Sequence, residues 1–261
     1  MSSPLLTVSC LAKRYHRGGK TIAAVEDVSF VIEPGETLAL AGPSGSGKST
    51  IARLVLRLIE PDAGRIQFEG DDFFALSGSA LRARRARLQM VFQDPLAAFN
   101  PRATVARVLD DALRIHGIAS RTERPRRIAA LLERVGLNAD LAPRAIHEIS
   151  GGQRQRVAIG RAIATNPSLI VLDEAVSALD VSVRGDILNL LLDLQAKERI
   201  AYLFISHDLG VVRAIAHRVV ILDAGRIAES GDARAVIGAP QSAIGKALVT
   251  ATPKLHRTTA S

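Results

Sequence analysis

Short apolar runs and helix-spaced apolar positions alternate along most of this 261-residue chain. The run Glu36–Ala41 (ETLALA) reads as a buried strand, and behind it Ser49–Ile59 (STIARLVLRLI) places apolar residues at helical spacing. The same succession recurs further on. Leu169–Leu172, Ala201–Ile205 and Val219–Leu222 are strand-like, and helix-like stretches such as Leu209–Ala216 lie between them. Such alternation predicts a parallel sheet covered by helices, an α/β fold. Two stretches depart from it. Leu5–Ile32 reads as an antiparallel β portion, with Leu5–Leu11 as an edge strand and Glu33-Pro34-Gly35 as a turn into the strand at 36–41. The core αβ unit then runs to about Phe92. From Asp94 to about Thr165 the pattern is mostly helical, with helices predicted over Val105–His116, over Arg126–Val135 and after Ser150. Beyond Gly231 a short helical tail ends in HRTTAS.

The turn between the strand at 36–41 and its helix carries the first candidate chemistry. GPSGSGKS fits G-x-x-x-x-G-K-[ST], with Gly42, Gly47, Lys48 and Ser49 at the defining positions. A strand entering a Gly-rich turn that opens a helix aims backbone N–H groups and the positive helix end at one spot, which suits phosphate. Gly42, Pro43, Ser44, Gly45, Ser46 and Gly47 are therefore expected to cradle the phosphates of a nucleotide, with Thr50 following. Glycine permits the close backbone approach and the positive φ such a turn needs. Lys48 would reach the β- and γ-phosphates, and the Ser49 hydroxyl would ligate Mg²⁺.

Leu169–Glu174 (LIVLDE) ends an apolar strand in two acids, where open α/β sheets place their ligands. Asp173 is suited to holding Mg²⁺ through water. Glu174, one residue nearer the mouth, is the candidate general base on an attacking water. A third segment, SGGQRQR, precedes apolar positions Val157, Ile159, Ala162 and Ile163 at helical spacing, so Ser150 reads as an N-cap. Gly151 and Gly152 leave backbone N–H groups open to an anion at that helix start. His207, in FISHD, follows the strand at 201–205, again at a strand end.

Together these segments resemble the nucleotide-binding subunit of an ABC transporter over nearly the whole chain, from about Leu5 to Gly231. That resemblance implies a P-loop, RecA-like parallel-sheet core with the antiparallel β portion and a helical subdomain at about 94–165, leaving 232–261 as a C-terminal tail. It implies ATP and Mg²⁺ as cofactors. It also assigns roles: Ser150, Gly151, Gly152 and Gln153 would bind the γ-phosphate of ATP held by an opposite subunit. Gln93, in MVFQDP, would sense Mg²⁺ and γ-phosphate. Ser177–Asp180 (SALD) would cross the dimer interface, His207 would contact the γ-phosphate, and Tyr15 would stack on adenine. Since the family keeps the signature segment far from Lys48 within one subunit, the expected assembly is a head-to-tail dimer sandwiching ATP.

Composition narrows the partners. The chain carries 48% hydrophobic and 23% charged residues, enough apolar content for a substantial core. Cys10 is the one cysteine, which excludes an internal disulfide and any cysteine-built metal site. LLTVSC lacks the positive n-region and apolar length of an export signal. No window approaches 18 uninterrupted apolar residues, so a transport pathway must come from other subunits. The formal charge of +8, concentrated in Arg82–Arg87 and Arg121–Arg127 in or beside helices of the insertion, fits solvated helix faces or an anionic membrane leaflet. With no Trp and no aromatics interleaved among these arginines, nucleic acid is not expected as a partner.

Within the family, DPLAAFNPR (Asp94–Arg102) and DEAVSALDVSV (Asp173–Val183) resemble importers of dipeptides, oligopeptides and nickel. The resemblance implies an ATPase peripheral to the cytoplasmic face of the inner membrane. Its expected partners are a second ATP-binding subunit, two transmembrane permease subunits and, indirectly, an extracytoplasmic solute-binding protein. Asp94–Arg102 would meet a coupling helix of the permease. Ala239–Pro253 keeps only the outline of the longer extension, with its HPY-type motif, found in many peptide-importer subunits. The alternatives are an accessory ATPase of phosphonate breakdown or another soluble ATPase of this type.

Overall fold

The computed structural model describes residues 3–251. The terminal HRTTAS and Pro253 lie outside them. Two sheets organise the described residues. In one, antiparallel β1 (Leu6–Arg17) lies between β2 (Lys20–Ile32) and β4 (Ala63–Phe68), with the short β5 (Asp71–Asp72) beyond β4. The expectation of an edge strand at Leu5–Leu11 is therefore corrected: Leu6, Thr7 and Val8 pair with β2 on one side and with β4 on the other. An apolar run reports burial, and only the later segment 63–68 supplies the second neighbour.

The second sheet has the order β10 (Arg226–Asp232), β9 (Arg218–Asp223), β3 (Thr37–Ala41), β8 (Ala201–Ile205), β7 (Leu169–Asp173), β6 (Leu88–Val91). All neighbours are parallel except the β9–β10 hairpin at one edge. Its central strands are buried on both faces, as βαβ crossovers require. Alternate residues feed different cores. Ile170, Leu172, Tyr202 and Phe204 face the helical side, while Leu169, Val171, Leu203 and Ile205 pack with Leu6, Ile32, Ile66 and Phe68 of the antiparallel sheet. Each such fully buried aliphatic or aromatic side chain contributes about 1.5–3 kcal/mol relative to exposure.

The core αβ unit does not run unbroken to Phe92. After α1 (Lys48–Val55) the chain returns to the antiparallel sheet through β4 and β5, and only then re-enters the parallel sheet at β6. Between β5 and β6, α2 (Gly78–Arg87) carries Arg82–Arg87. That helix precedes the helical stretch expected from 94, and three of its arginines are engaged, Arg85 with the Arg57 carbonyl at 3.2 Å. Arg84 is bonded to both Asp71 and Glu69, and Arg87 to Glu69, which staples the helix to the edge of the antiparallel sheet.

Helices α3 (Val105–Ile115), α4 (Arg124–Arg134) and α5 (Gly151–Ile163) fill the stretch between β6 and β7, each with an apolar stripe in one shared core. Thr104 caps α3 and Pro125 sits in the first turn of α4, where its missing N–H costs no bond. Beyond β7, α6 (Val181–Glu198) and α7 (Leu209–Ile215) lead into β8 and β9. The last helices, α8 (Ala233–Gly238) and α9 (Ala243–Ala251), pack on Ala39, Val219 and Ile221. No described helix is long and apolar enough to cross a membrane.

Candidate nucleotide site

Parallel register gathers the candidate residues past the C-terminal ends of adjacent strands. Leu40 of β3 pairs with Ile205 of β8, Ile205 with Asp173 of β7, and Leu172 with Val91 of β6. The residues just past those ends are therefore neighbours: Gly42, His207, Glu174 and Gln93. This is the position at which open α/β sheets hold ligands.

The phosphate-loop turn is shaped by backbone that only glycine tolerates. Gly47, the N-cap of α1, has φ +104, and a Cβ there would come within 2.4 Å of the Ala24 carbonyl oxygen. Gly42 is closed off in the same way by the Leu222 carbonyl. At Gly45 (φ +79) an added Cβ would meet nothing within 4 Å, because that side opens into the cleft. The buried Lys48 side chain folds back over the turn, donating from Nζ to the carbonyls of Gly42 and Pro43, each at 2.8 Å. Burial holds its ammonium below the usual lysine range, while Glu174 and Asp173 pull it back upward. Asp173 is perturbed the other way: burial and then the adjacent Glu174 raise its pKa, against the opposing pull of Arg53 and Lys48. Its carboxyl oxygens at the end of β7, beside the phosphate-loop turn, are hard donors of the kind a divalent cation takes, so such a cation fits there.

Glu174 occupies the centre. Gln93 Nε2 donates to Oε2 at 3.1 Å, and His207 Nδ1 stands 3.1 Å from Oε1. Its own backbone is left-handed at φ +47, and the carbonyl accepts from Ser177 Oγ at 2.9 Å. The cleft holds about 580 Å³ and is lined by Ser44, Gly45, Lys48, Ser49, Glu174 and His207, together with Gly47, Thr50 and Ala24. Ala24 was not legible as a site residue. It lies on β2, and its carbonyl shapes the turn only through tertiary contact.

Two of the expected segments stand outside this cleft. Tyr15 lies on β1, opposite Ile22 of β2, with both side chains exposed. Ser150 caps α5 as expected: its Oγ accepts from the Gln153 N–H at 3.2 Å, and Gln153 Oε1 accepts from the Ser150 N–H at 2.9 Å. This capping box uses both side chains locally, so Gly151 and Gly152 supply the remaining N–H groups of the first turn. A Cβ on Gly152 would come within 2.6 Å of Val183 Cγ1, which lets the starts of α5 and α6 approach closely.

A separate groove of about 460 Å³ opens between the antiparallel-sheet side and the helical stretch. Leu58, Phe92, Phe99 and Ile115 line it, and Arg161 lies over the Phe99 ring, 4.9 Å from its centre. Ala98, Phe99 and Asn100, from the segment expected to meet a permease, are part of its wall.

Residues 25–177, more than half of the chain, match the ABC transporter family. Glutathione import ATP-binding protein GsiA from Salmonella paratyphi A and from Salmonella typhi is 50% identical over 257 residues, covering 96% of this chain. The Escherichia coli K12 protein of that name is 49% identical. This chain spans 41% of the length of these relatives. Among solved structures, cbiO1 from Clostridium perfringens, part of the ABC transporter complex cbiONQ, has a TM-score of 0.80 at 27% identity, covering 91% of this chain and 92% of its own. The ATP-binding cassette MJ0796, in a dimeric post-hydrolysis state with ADP and Pi, has a TM-score of 0.78 at 30% identity, covering 88% and 99%. With the strand-end geometry, the phosphate-loop turn and these likenesses together, the chain belongs to the ABC transporter family.

Proposed function

We propose that this chain powers an importer of peptide-sized solutes as a peripheral subunit at the cytoplasmic membrane face. One observation carries the reading: 50% identity over 96% of the chain to glutathione import proteins, whose named solute is a tripeptide. Residues 1–231 form the nucleotide-binding domain in this reading, with the helical subdomain at about 94–165 and a tail from 232.

The amides of Gly42–Ser49 hold the phosphates of ATP, and Lys48 swings from the Gly42 and Pro43 carbonyls to the β- and γ-phosphates. Ser49, Gln93 and, through water, Asp173 would hold Mg²⁺, as oxygen donors of the kind this hard cation takes. When bound, Mg²⁺ neutralises charge on the phosphate oxygens. Glu174, held from both sides by Gln93 and His207, takes the proton of the attacking water. Tyr15 stacks on adenine. The Ser150–Gln153 helix start, outside the cleft of its own chain, binds the γ-phosphate held by a second subunit. Two transmembrane permease subunits complete the assembly, one meeting the groove beside Asp94–Arg102, and a solute-binding protein delivers cargo.

Purification of the tagged full chain from detergent-extracted membranes tests this. Hydrophobic membrane subunits should co-purify with it. Recovery with a soluble enzyme complex alone would replace the importer by an accessory ATPase.

A further inference from the structure

Arg184 sits in the first turn of α6, just past the Ser177–Asp180 segment, and its guanidinium grips two parts of the chain at once. Nη1 donates to Asp208 Oδ2 at 3.0 Å, and Nη2 donates to the Leu179 carbonyl at 3.3 Å. Its backbone N–H closes on the Asp180 carbonyl at 2.8 Å. Asp208 is fixed in turn. Its Oδ1 accepts from the Gly210 and Val211 N–H groups at the start of α7, and its own N–H donates to Ser206 Oγ at 3.0 Å. The residue before it is His207, in contact with Glu174. Ser177 Oγ, meanwhile, donates back to the Glu174 carbonyl. The contacts thus close a ring: Glu174, the 177–180 segment, Arg184, Asp208, His207 and Glu174 again.

This ring is poorly explained as a stabilising device. The Arg184–Asp208 pair is partly exposed, with side chains 26% and 36% accessible, and pairs of that kind add little to folding. Arg184 Nε is meanwhile buried without a partner. What a planar fork does well is fix the relative position of two acceptors. The acceptors here are the Leu179 carbonyl within the SALD segment and the carboxylate beside His207.

We propose that Arg184 is a positioning residue that transmits the placement of the 177–180 segment to His207 and hence to Glu174. This rests on the reading that a second subunit meets that segment. Pressure on Leu179 shifts the guanidinium, which carries Asp208 and His207 with it and sets the carboxylate against the attacking water.

The test is steady-state MgATP turnover by the full chain over a range of protein concentrations, with ATP affinity measured separately by a fluorescent ATP analogue. For wild type, turnover per chain should rise with concentration. In Arg184→Ala, kcat should fall at least about tenfold, since small misplacement of reacting groups is costly, while affinity stays within about twofold. Arg184→Lys, which keeps the charge but not the fork, should fall between the two and serves if the alanine variant does not fold. Asp208→Asn keeps a capping side chain on α7 and should match Arg184→Ala, and the double variant should lose no more than either. Unchanged kcat in Arg184→Ala, affinity falling in step with kcat, or multiplying losses in the double variant would overturn the relay. If wild-type turnover per chain did not rise with concentration, the two-subunit reading would fail and the relay with it; a normal rise with unaffected variants removes the relay alone.

Discussion

Gln93 Nε2 donates to Glu174 Oε2 at 3.1 Å across 81 positions of sequence. The other carboxylate oxygen meets His207, so Glu174 is held on both sides over the phosphate-loop cleft. Glu174→Gln keeps the size of the side chain and removes its ability to take a proton. Turnover should drop by about 10²–10⁴-fold, the usual contribution of a general base, with ATP binding retained. Single-turnover hydrolysis beside equilibrium binding checks this, and wild-type turnover would remove Glu174 as the base.

Lys48→Ala takes away the cation that now bridges the Gly42 and Pro43 carbonyls. A charge-assisted hydrogen bond contributes roughly 1.5–3 kcal/mol, so ATP affinity should weaken by about tenfold or more. Calorimetric titration with ATP decides it. An affinity equal to wild type contradicts the assignment of this loop.

Gly47→Ala tests the backbone argument by itself. The new Cβ would sit at φ +104, 2.4 Å from the Ala24 carbonyl, so β2 or the turn must move. Strain of this kind costs about 1–3 kcal/mol and should appear as a lower urea midpoint without nucleotide. Gly45→Ala, whose Cβ meets open space, carries the φ penalty alone and should lose less stability. Equal losses in the two variants would argue against the Ala24 contact.

His116, at the C-terminal end of α3, has its pKa held below the ordinary imidazole value by burial and by the nearby Arg82. The unfolded chain therefore takes up this proton more readily than the folded one. Its contribution to stability is complete above about pH 6.5 and is lost as the pH falls through that value toward the lower folded pKa. His116→Gln should flatten this part of the profile, as followed by thermal melts between pH 7.5 and 5. An unchanged slope would show that another group governs it.

The phosphate loop and the cap of α5 were legible because each is local. Gly42–Ser49 and Ser150–Gln153 encode their turns in consecutive residues, and the apolar runs at 169–172 and 201–205 mark buried strands whatever their neighbours. Less could be read where pairing decides. The segment Ala63–Phe68 is half exposed and mixed in character, and the alternating Arg226–Asp232 has mostly polar outward positions, so neither stood out as a strand. The first was placed by a distant partner, β1, and the second by hairpin pairing with β9 just before it.

The chain's own sequence determined that a nucleotide-type phosphate turn opens a helix, that acids end one strand and that a histidine ends another, because local spacing fixes local conformation. Tertiary structure alone decided that Gln93, Glu174 and His207 meet, that Ala24 closes the turn beneath Gly47, and that Arg184 reaches Asp208. Those distances depend on the parallel register of β6, β7, β8 and β3, and register is set by side chains of distant segments packing on both faces of the sheet.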